Sequence, residues 1–255
     1  MVTEEERIAA EIAHGKFIHE HHPELWDWST PAGRLRLRRR AGLLCEYGRF
    51  RRGERLLEIG CGTGLVTELV HAATGATIVG TDISEELVTE ARQRVPDVTF
   101  QVDNALRLSF PDGSFDAVYG SSILHHLEVD RALVEILRVL RPGGRTVFAE
   151  PNMLNPQIFV QKNVPLIKRW LGDTPHETAF VRWSVGSRLR RLGFTDVVAF
   201  PFDFLHPLTP EALIPLVASA GALAERLPIV REIAGSCLIL ARKPGSAAGV
   251  STHGE

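Results

Sequence analysis

Apolar and polar positions change their period near residue 53. Upstream, Ile8, Ile12, Leu35, Leu43, Leu44 and Tyr47 recur at roughly helical spacing, so residues 1–52 are expected to be helical. Breaks fall at His22-Pro23 and at Ser29-Thr30-Pro31, where Thr30 before Pro31 suits a helix N-cap with proline in the first turn. From Arg55 short apolar runs alternate with amphipathic stretches. Strands are expected at 55–59, 76–80, 98–102, 115–119 and 145–149, and helices at 65–73, 84–95 and 130–140. Ser84 caps the second of these helices, and Arg141-Pro142-Gly143-Gly144 is expected to end the third. The alternation stops after Glu150 for about thirty residues, around an oily helix at 157–171. It resumes with a helix at 184–192, a strand at 195–200, a helix at 210–226 and a last strand at 237–241. Strands separated by helices imply parallel βαβ units with right-handed crossovers, hence an α/β, doubly wound sheet.

Composition narrows this picture without redirecting it. The 255 residues are 44% hydrophobic and 24% charged with a formal charge of -2, so no global basic field favours nucleic acid. Cys45, Cys61 and Cys237 stand far apart without a CxxC pair, against a zinc ribbon or disulfide scaffold and in keeping with a reducing cytoplasm. The N-terminal Thr3-Glu4-Glu5-Glu6-Arg7 does not read as a signal peptide. The apolar stretch 212–224 is short and holds Pro215, so stable membrane insertion is not expected. The spacing of His14, His19, His21 and His22 fits no tight helical i, i+4 pair with a carboxylate partner, no cysteine joins them, and no metal is expected.

The chemistry begins in the loop after the first strand, Gly60-Cys61-Gly62-Thr63-Gly64, preceded by Glu58. At the carboxyl end of a parallel strand, glycines let the chain turn tightly and let a ligand lie against bare amides. A dinucleotide fingerprint requires a small residue where Leu65 stands, and no phosphate-binding G-x-x-x-x-G-K-S/T loop is present. Glu58 would repel a pyrophosphate but favours a cation. The E-x-G-x-G-x-G stretch resembles motif I of class I S-adenosylmethionine (SAM)-dependent methyltransferases. Asp82 closes the second strand, where an acid accepts ribose hydroxyls, and Ile83 follows it. The run from Asp103-Asn104-Ala105 to Phe115-Asp116 is similar to the family's adenine-binding stretch, with Asn104 at the acid's position and Asp103 at the glycine's. Either of the two could make that contact. Ser121-Ser122-Ile123-Leu124-His125-His126 and Arg141-Pro142-Gly143-Gly144 match the type 11 methyltransferase pattern.

The resemblance implies a Rossmann-like, seven-stranded class I methyltransferase sheet with an antiparallel last strand and an added helical cap. It also implies SAM as cofactor, S-adenosylhomocysteine (SAH) as product, and Glu58, Gly60, Cys61, Gly62, Gly64, Asp82, Ile83, Asp103, Asn104, Ala105 and Ser121 as the cofactor site. Three residues are candidates for the acceptor side. His125 follows the fourth strand and is the first choice for a base, with a scaffold role as the alternative. Glu150 ends the fifth strand and binds the acceptor or caps the Pro151-Asn152 turn; His176, beside Glu177, closes over the acceptor or lies in a solvated loop. Cys61 is expected to be a small packing residue and no nucleophile.

Residues 1–52 are expected as a cap segment, 53–243 as the SAM-binding domain with 152–181 as acceptor-cap insert, and 244–255 as a flexible tail. Trp26-Asp27-Trp28 lines the pocket or anchors the cap helix. The run from Arg34 to Arg40 is a solvated helical face or recognises an anionic acceptor. Phe159, Val160, Val164, Leu166, Ile167 and Trp170, with Phe202, Phe204, Leu205 and Leu208, suggest an apolar or amphipathic small-molecule acceptor, or ordinary core between cap and sheet. The expected activity is methylation of an oxygen or carbon of a small metabolite in the cytoplasm, without nucleic acid; a homodimer is left open. The rival readings are a SAM- or SAH-binding module without catalysis and an NAD(P)-dependent oxidoreductase.

Overall fold

The computed structural model describes residues 28–170, 173–174 and 177–245, together with Ile12. Its centre is a seven-stranded sheet: β1 (Arg55–Ile59), β2 (Thr77–Asp82), β3 (Thr99–Val102), β4 (Phe115–Ser121), β5 (Leu140–Pro151), β6 (Thr195–Phe202) and β7 (Ser236–Arg242). Their order is β3-β2-β1-β4-β5-β7-β6. β1 to β5 pair in parallel, and β7 enters antiparallel between β5 and β6. This is the expected class I methyltransferase architecture. The order reverses between β1 and β4, so a crevice opens at their carboxyl ends.

Alternation along each strand builds two cores. Leu57, Val79 and Val118 face one side of the sheet, while Leu56, Ile78 and Tyr119 face the other. The first side is covered by α4 (Val129–Val139) and α7 (Arg182–Arg191), the second by α1 (Pro31–Gly48), α2 (Leu65–Thr74) and α3 (Glu85–Arg94). Thr30 caps α1 as expected, its hydroxyl accepting from the Gly33 amide at 2.9 Å.

Four expectations need correction. The turn at 141–144 lies inside β5, which starts at Leu140; the Gly143 amide and the Gly144 carbonyl bond to the chain at Lys243 and Pro244, so the backbone stays paired. The oily helix at 157–171 is two, α5 (Pro156–Asn163) and α6 (Pro165–Trp170), because Pro165 has no N–H to continue the ladder. The helix at 210–226 is a 3-10 turn (Glu211–Leu213) followed by α8 (Ile214–Ala224). Finally, the apolar side chains between residues 159 and 166 of the insert do not form core, although Phe180 at its end does. α5 buries no residue, and Phe159, Val160, Val164 and Leu166 are exposed, as are Leu216 and Leu223 on α8. No described helix is long and apolar enough to cross a membrane.

Candidate functional site

A cavity of about 820 Å³ opens over the switch point between β1 and β4. Its floor is the loop after β1. Gly60 has φ 68°, and a Cβ there would lie 2.5 Å from the Ile123 side chain, so only glycine lets the two loops approach. The loop is tied inward: Cys61 N–H donates to the Thr81 carbonyl at 2.9 Å, Gly64 N–H to Cys61 at 2.9 Å, and Gly62 N–H to Asp82 Oδ2 at 3.0 Å. The expectation of bare amides is corrected accordingly, since three of them are engaged within the protein. Gly64 does not line the cavity. It starts α2 in the left-handed region, and its absent Cβ leaves room for Ala91 of α3, 3.2 Å away. Cys61 lines the cavity but is buried, and burial pushes its thiol far up, which leaves it unsuited to nucleophilic attack.

Two carboxylates stand beside this floor. Glu58 is fully buried, with its Oε2 accepting from Thr67 Oγ1 at 2.6 Å and from the Tyr119 hydroxyl at 2.8 Å. Burial raises its pKa to about 7 against the pull of those two hydroxyls. Asp82 ends β2 and accepts from Ser84 N–H and Gly62 N–H, one on each oxygen, at 3.0 Å. Burial raises it too, opposed by those amides. Ile83 lines the cavity next to it. Further round, Asp103 holds its own loop by accepting from Asn104 N–H and from the amide and hydroxyl of Ser109, while Asn104 Oδ1 accepts from Leu106 N–H. Asp103, Asn104 and Ala105 all reach the cavity wall.

The opposite wall carries the acid–base groups. β4 ends in Ser121, Ser122 has φ 58°, and a 3-10 turn (Leu124–His126) presents both histidines to the cavity. His125 Nδ1 meets Glu150 Oε2 at 2.8 Å, and Glu150 Oε1 accepts from the amides of Ile123 and Leu124 at 3.0 and 2.9 Å. Glu150 is wholly buried and does not line the cavity, so it orients the imidazole and has no access to an acceptor. Burial raises its pKa to about 7, with the amides of Leu124 and Ile123 opposing. A carboxylate accepting Nδ1–H leaves the proton-accepting lone pair on Nε2, the tautomer a general base requires.

His126 is stacked 4.1 Å from His125, centroid to centroid, and lies 3.6 Å from Glu177. Glu177 also meets Lys162 at 2.6 Å, and Lys162 meets Asp173 at 2.8 Å, so a buried ion network closes the wall. The charges of His126 and Lys162 outweigh burial and hold Glu177 well below its usual range. One histidine–histidine–glutamate grouping with metal-ligand proximity exists among the described residues, His125, His126 and Glu177. The Lys162 ammonium already supplies the positive charge there, which disfavours a second cation. His176, Trp26 and the N-terminal histidines lie outside the described residues.

Sequence reasoning missed how the helix α1 enters the site. Arg40 is 3% exposed and donates to Ser121 and Ser122 hydroxyls, the Ala149 carbonyl and the Ser236 hydroxyl. The Arg34–Arg40 run was legible as charge, but its burial depends on contacts up to 196 residues apart.

Residues 57–148 match the model of the "Methyltransferase domain" family. Over 101 residues the chain is 46% identical to a demethylmenaquinone methyltransferase of Beutenbergia cavernae, covering 39% of this chain and 42% of that one. It is 32% identical over 170 residues to a 2-methyl-6-phytyl-1,4-hydroquinone methyltransferase of Synechocystis, covering 63% and 52%. The chain thus spans about half the length, or less, of these relatives. Among solved structures it resembles the 4+2 cyclase SpnF, with TM-score 0.58, 26% identity and 82% of each chain covered. It shares the fold of the Haemonchus contortus phosphoethanolamine N-methyltransferase 2, solved with SAM, at TM-score 0.60 and 16% identity over 91% of this chain and 60% of that one.

Proposed function

We propose that this protein, whose residues 57–148 match the methyltransferase domain family, binds SAM in the cavity between β1 and β4 and transfers its methyl group to an oxygen or carbon of a small, partly apolar metabolite. The observation that carries the reading is the shared cavity: the loop of Gly60 and Gly62, Asp82 and His125 all line it, with Glu150 behind His125. SAM supplies an activated methyl on a sulfonium. The protein's task is then to position the acceptor, exclude water and accept a proton.

Asp82 accepts from the ribose hydroxyls, for which each oxygen keeps a lone pair beyond its backbone partner. Asn104 or Asp103 reads the adenine edge. Glu58 would balance the cationic end of the cofactor through the loop it underlies, and a positive charge there would favour its ionised form, the proton passing to solvent. His125 Nε2 takes the acceptor's proton as the methyl arrives, and Glu150 stabilises the imidazolium that results. The reaction is placed in the cytoplasm, and residues 152–181 are assigned to the acceptor cap.

The test is incubation of the full chain with methyl-labelled SAM and a panel of hydroquinones, phenols and enolisable ketones. Label in an acceptor supports the reading. Absence of any SAM or SAH binding by calorimetry sinks it. The likeness to a cyclase favours one second reading, that the cavity holds SAM or SAH without transferring methyl. Tight SAH binding with no label transferred to any acceptor would select it.

A further inference from the structure

Arg36, Arg39 and Arg40 lie close together on α1; Arg36 and Arg40 line the cavity, and two of the three have carboxylate partners. Arg36 Nε donates to Asp203 Oδ2 at 2.8 Å, and Arg39 pairs with Glu225 at 2.5 Å. Arg40 has no carboxylate within salt-bridge distance among the described residues, although it is the most buried of the three. Its partners are neutral: Nη1 donates to Ser121 Oγ at 3.3 Å, Ser122 Oγ at 3.1 Å and the Ala149 carbonyl at 3.2 Å, and Nη2 to Ser236 Oγ.

A guanidinium has five N–H donors. Nη1 is satisfied, Nη2 has one acceptor for two hydrogens, and the buried Nε has none. The deficit therefore falls on Nε, which has almost no accessible surface, and on one hydrogen of Nη2; the two lie on the edge that can form paired, parallel bonds to two oxygens. A buried, unpaired charge is costly, and burial lowers the Arg40 pKa to about 10, with Arg36 adding to the effect and Asp203 and Glu150 opposing it. The group still carries its charge at neutral pH. Around it, the Trp28 and Phe202 rings stand 5.4 and 5.8 Å from the guanidinium carbon and exclude water. Arg40 also lines the cavity, and it grips the loop that runs from Ser121 to His125.

We propose that Arg40 is the receptor for an oxyanion on the methyl acceptor, a carboxylate or an ionised phenol or enol, holding it beside the His125 loop. This deepens the reading above and rests on it: a phenol or enol ionised at His125 gains a positive partner, and a carboxylate fixes the acceptor's orientation. It also explains why a buried arginine lacks the carboxylate that Arg36 and Arg39 have.

The experiment titrates the full chain, with and without saturating SAH, using 4-octylbenzoate, its neutral analogue 4-octylbenzamide, and 2-nitro-4-octylphenol, whose ionised form absorbs visible light. The wild type is expected to bind benzoate about tenfold or more tightly than benzamide, or to lower the apparent pKa of the bound nitrophenol by about one unit. Which arm responds identifies the oxyanion. Arg40→Gln should bring the benzoate-to-benzamide ratio to about one and abolish the nitrophenol shift. General damage to the site would weaken both octyl probes together and leave their ratio unchanged. Should Arg40→Gln fail to fold, Arg40→Lys carries the test, since a compact ammonium offers no paired edge and must lower the preference. No anion preference in the wild type, or an unchanged preference in the variants, overturns the proposal. SAH titration of the same samples is read separately: anion preference without SAH binding removes the cofactor reading, and with it the methyl acceptor, and leaves only an oxyanion site at Arg40.

Discussion

Glu58 and Glu150 occupy matching places on two sides of the crevice, and their surroundings differ in kind. Each is fully buried at the carboxyl end of a central strand, and burial raises each pKa to about 7. Glu58 is held by two side-chain hydroxyls, Thr67 and Tyr119, under a loop that needs glycine. Glu150 is held by two backbone amides and an imidazole. The first arrangement is a closed pedestal whose charge awaits an external cation. The second suits a relay, since a negative charge there stabilises a proton arriving on His125. Under the proposed function, one half of the crevice holds the cofactor and the other moves a proton, although the same residue type anchors both.

The comparison breaks first at His125. His125→Ala should lower turnover by about a hundredfold or more while calorimetric SAM affinity stays within about twofold; equal loss of both would place the histidine in the binding half. Glu150→Gln should act in the same direction by about tenfold, because the amide no longer favours the imidazolium.

On the cofactor side, Asp82→Ala should weaken SAM binding by about thirtyfold, the equivalent of about 2 kcal/mol for a charged hydrogen-bonding pair. Turnover at saturating SAM should be largely kept. A matching fall in that turnover would contradict the division.

The raised carboxyls also predict a pH dependence of stability. Between about 4.5, the ordinary value, and about 7, the folded protein keeps protons that the unfolded chain has lost. Stability therefore falls as pH rises through that window, by about 1–3 kcal/mol for each group. Glu58→Gln removes one contribution, so its denaturant midpoint should gain on the wild type between pH 5 and pH 8, and bound SAM should shrink the difference. A constant difference across that range would show that Glu58 does not titrate there. The smallest expected effect is on metal removal: EDTA should leave methyl transfer unchanged, because Lys162 neutralises Glu177 in the His125–His126–Glu177 grouping. Lost activity restored by a divalent ion would overturn that assignment.

Much of the cofactor half was legible because its parts are local. Glu58, the glycines to Gly64 and Asp82 lie within 25 residues, and each sits at a strand end that alternating periodicity marks. Even there, which glycine touches a ligand and which spaces two helices was not readable: Gly64 faces Ala91, and only packing reveals it. The break of the insert at Pro165 could be read from proline chemistry, but the outward facing of Phe159 and Leu166 could not, because a short apolar run has the same composition in core and on a surface.

Chain order and pattern were enough for the doubly wound sheet and the acids at its strand ends, which follow from short-range periodicity and from the handedness of βαβ units. The antiparallel last strand came only from the family resemblance. The roles of the groups were decided in three dimensions. Glu150 moved from acceptor ligand to partner of His125 because a hydrogen bond joins residues on adjacent strands' ends. Arg40 turned from one charge in a basic run into a buried guanidinium with an unsatisfied Nε because α1 lies against β4, β5 and the start of β7. Burial and hydrogen-bond supply set what an ionisable side chain does, and both are properties of what the rest of the chain brings beside it.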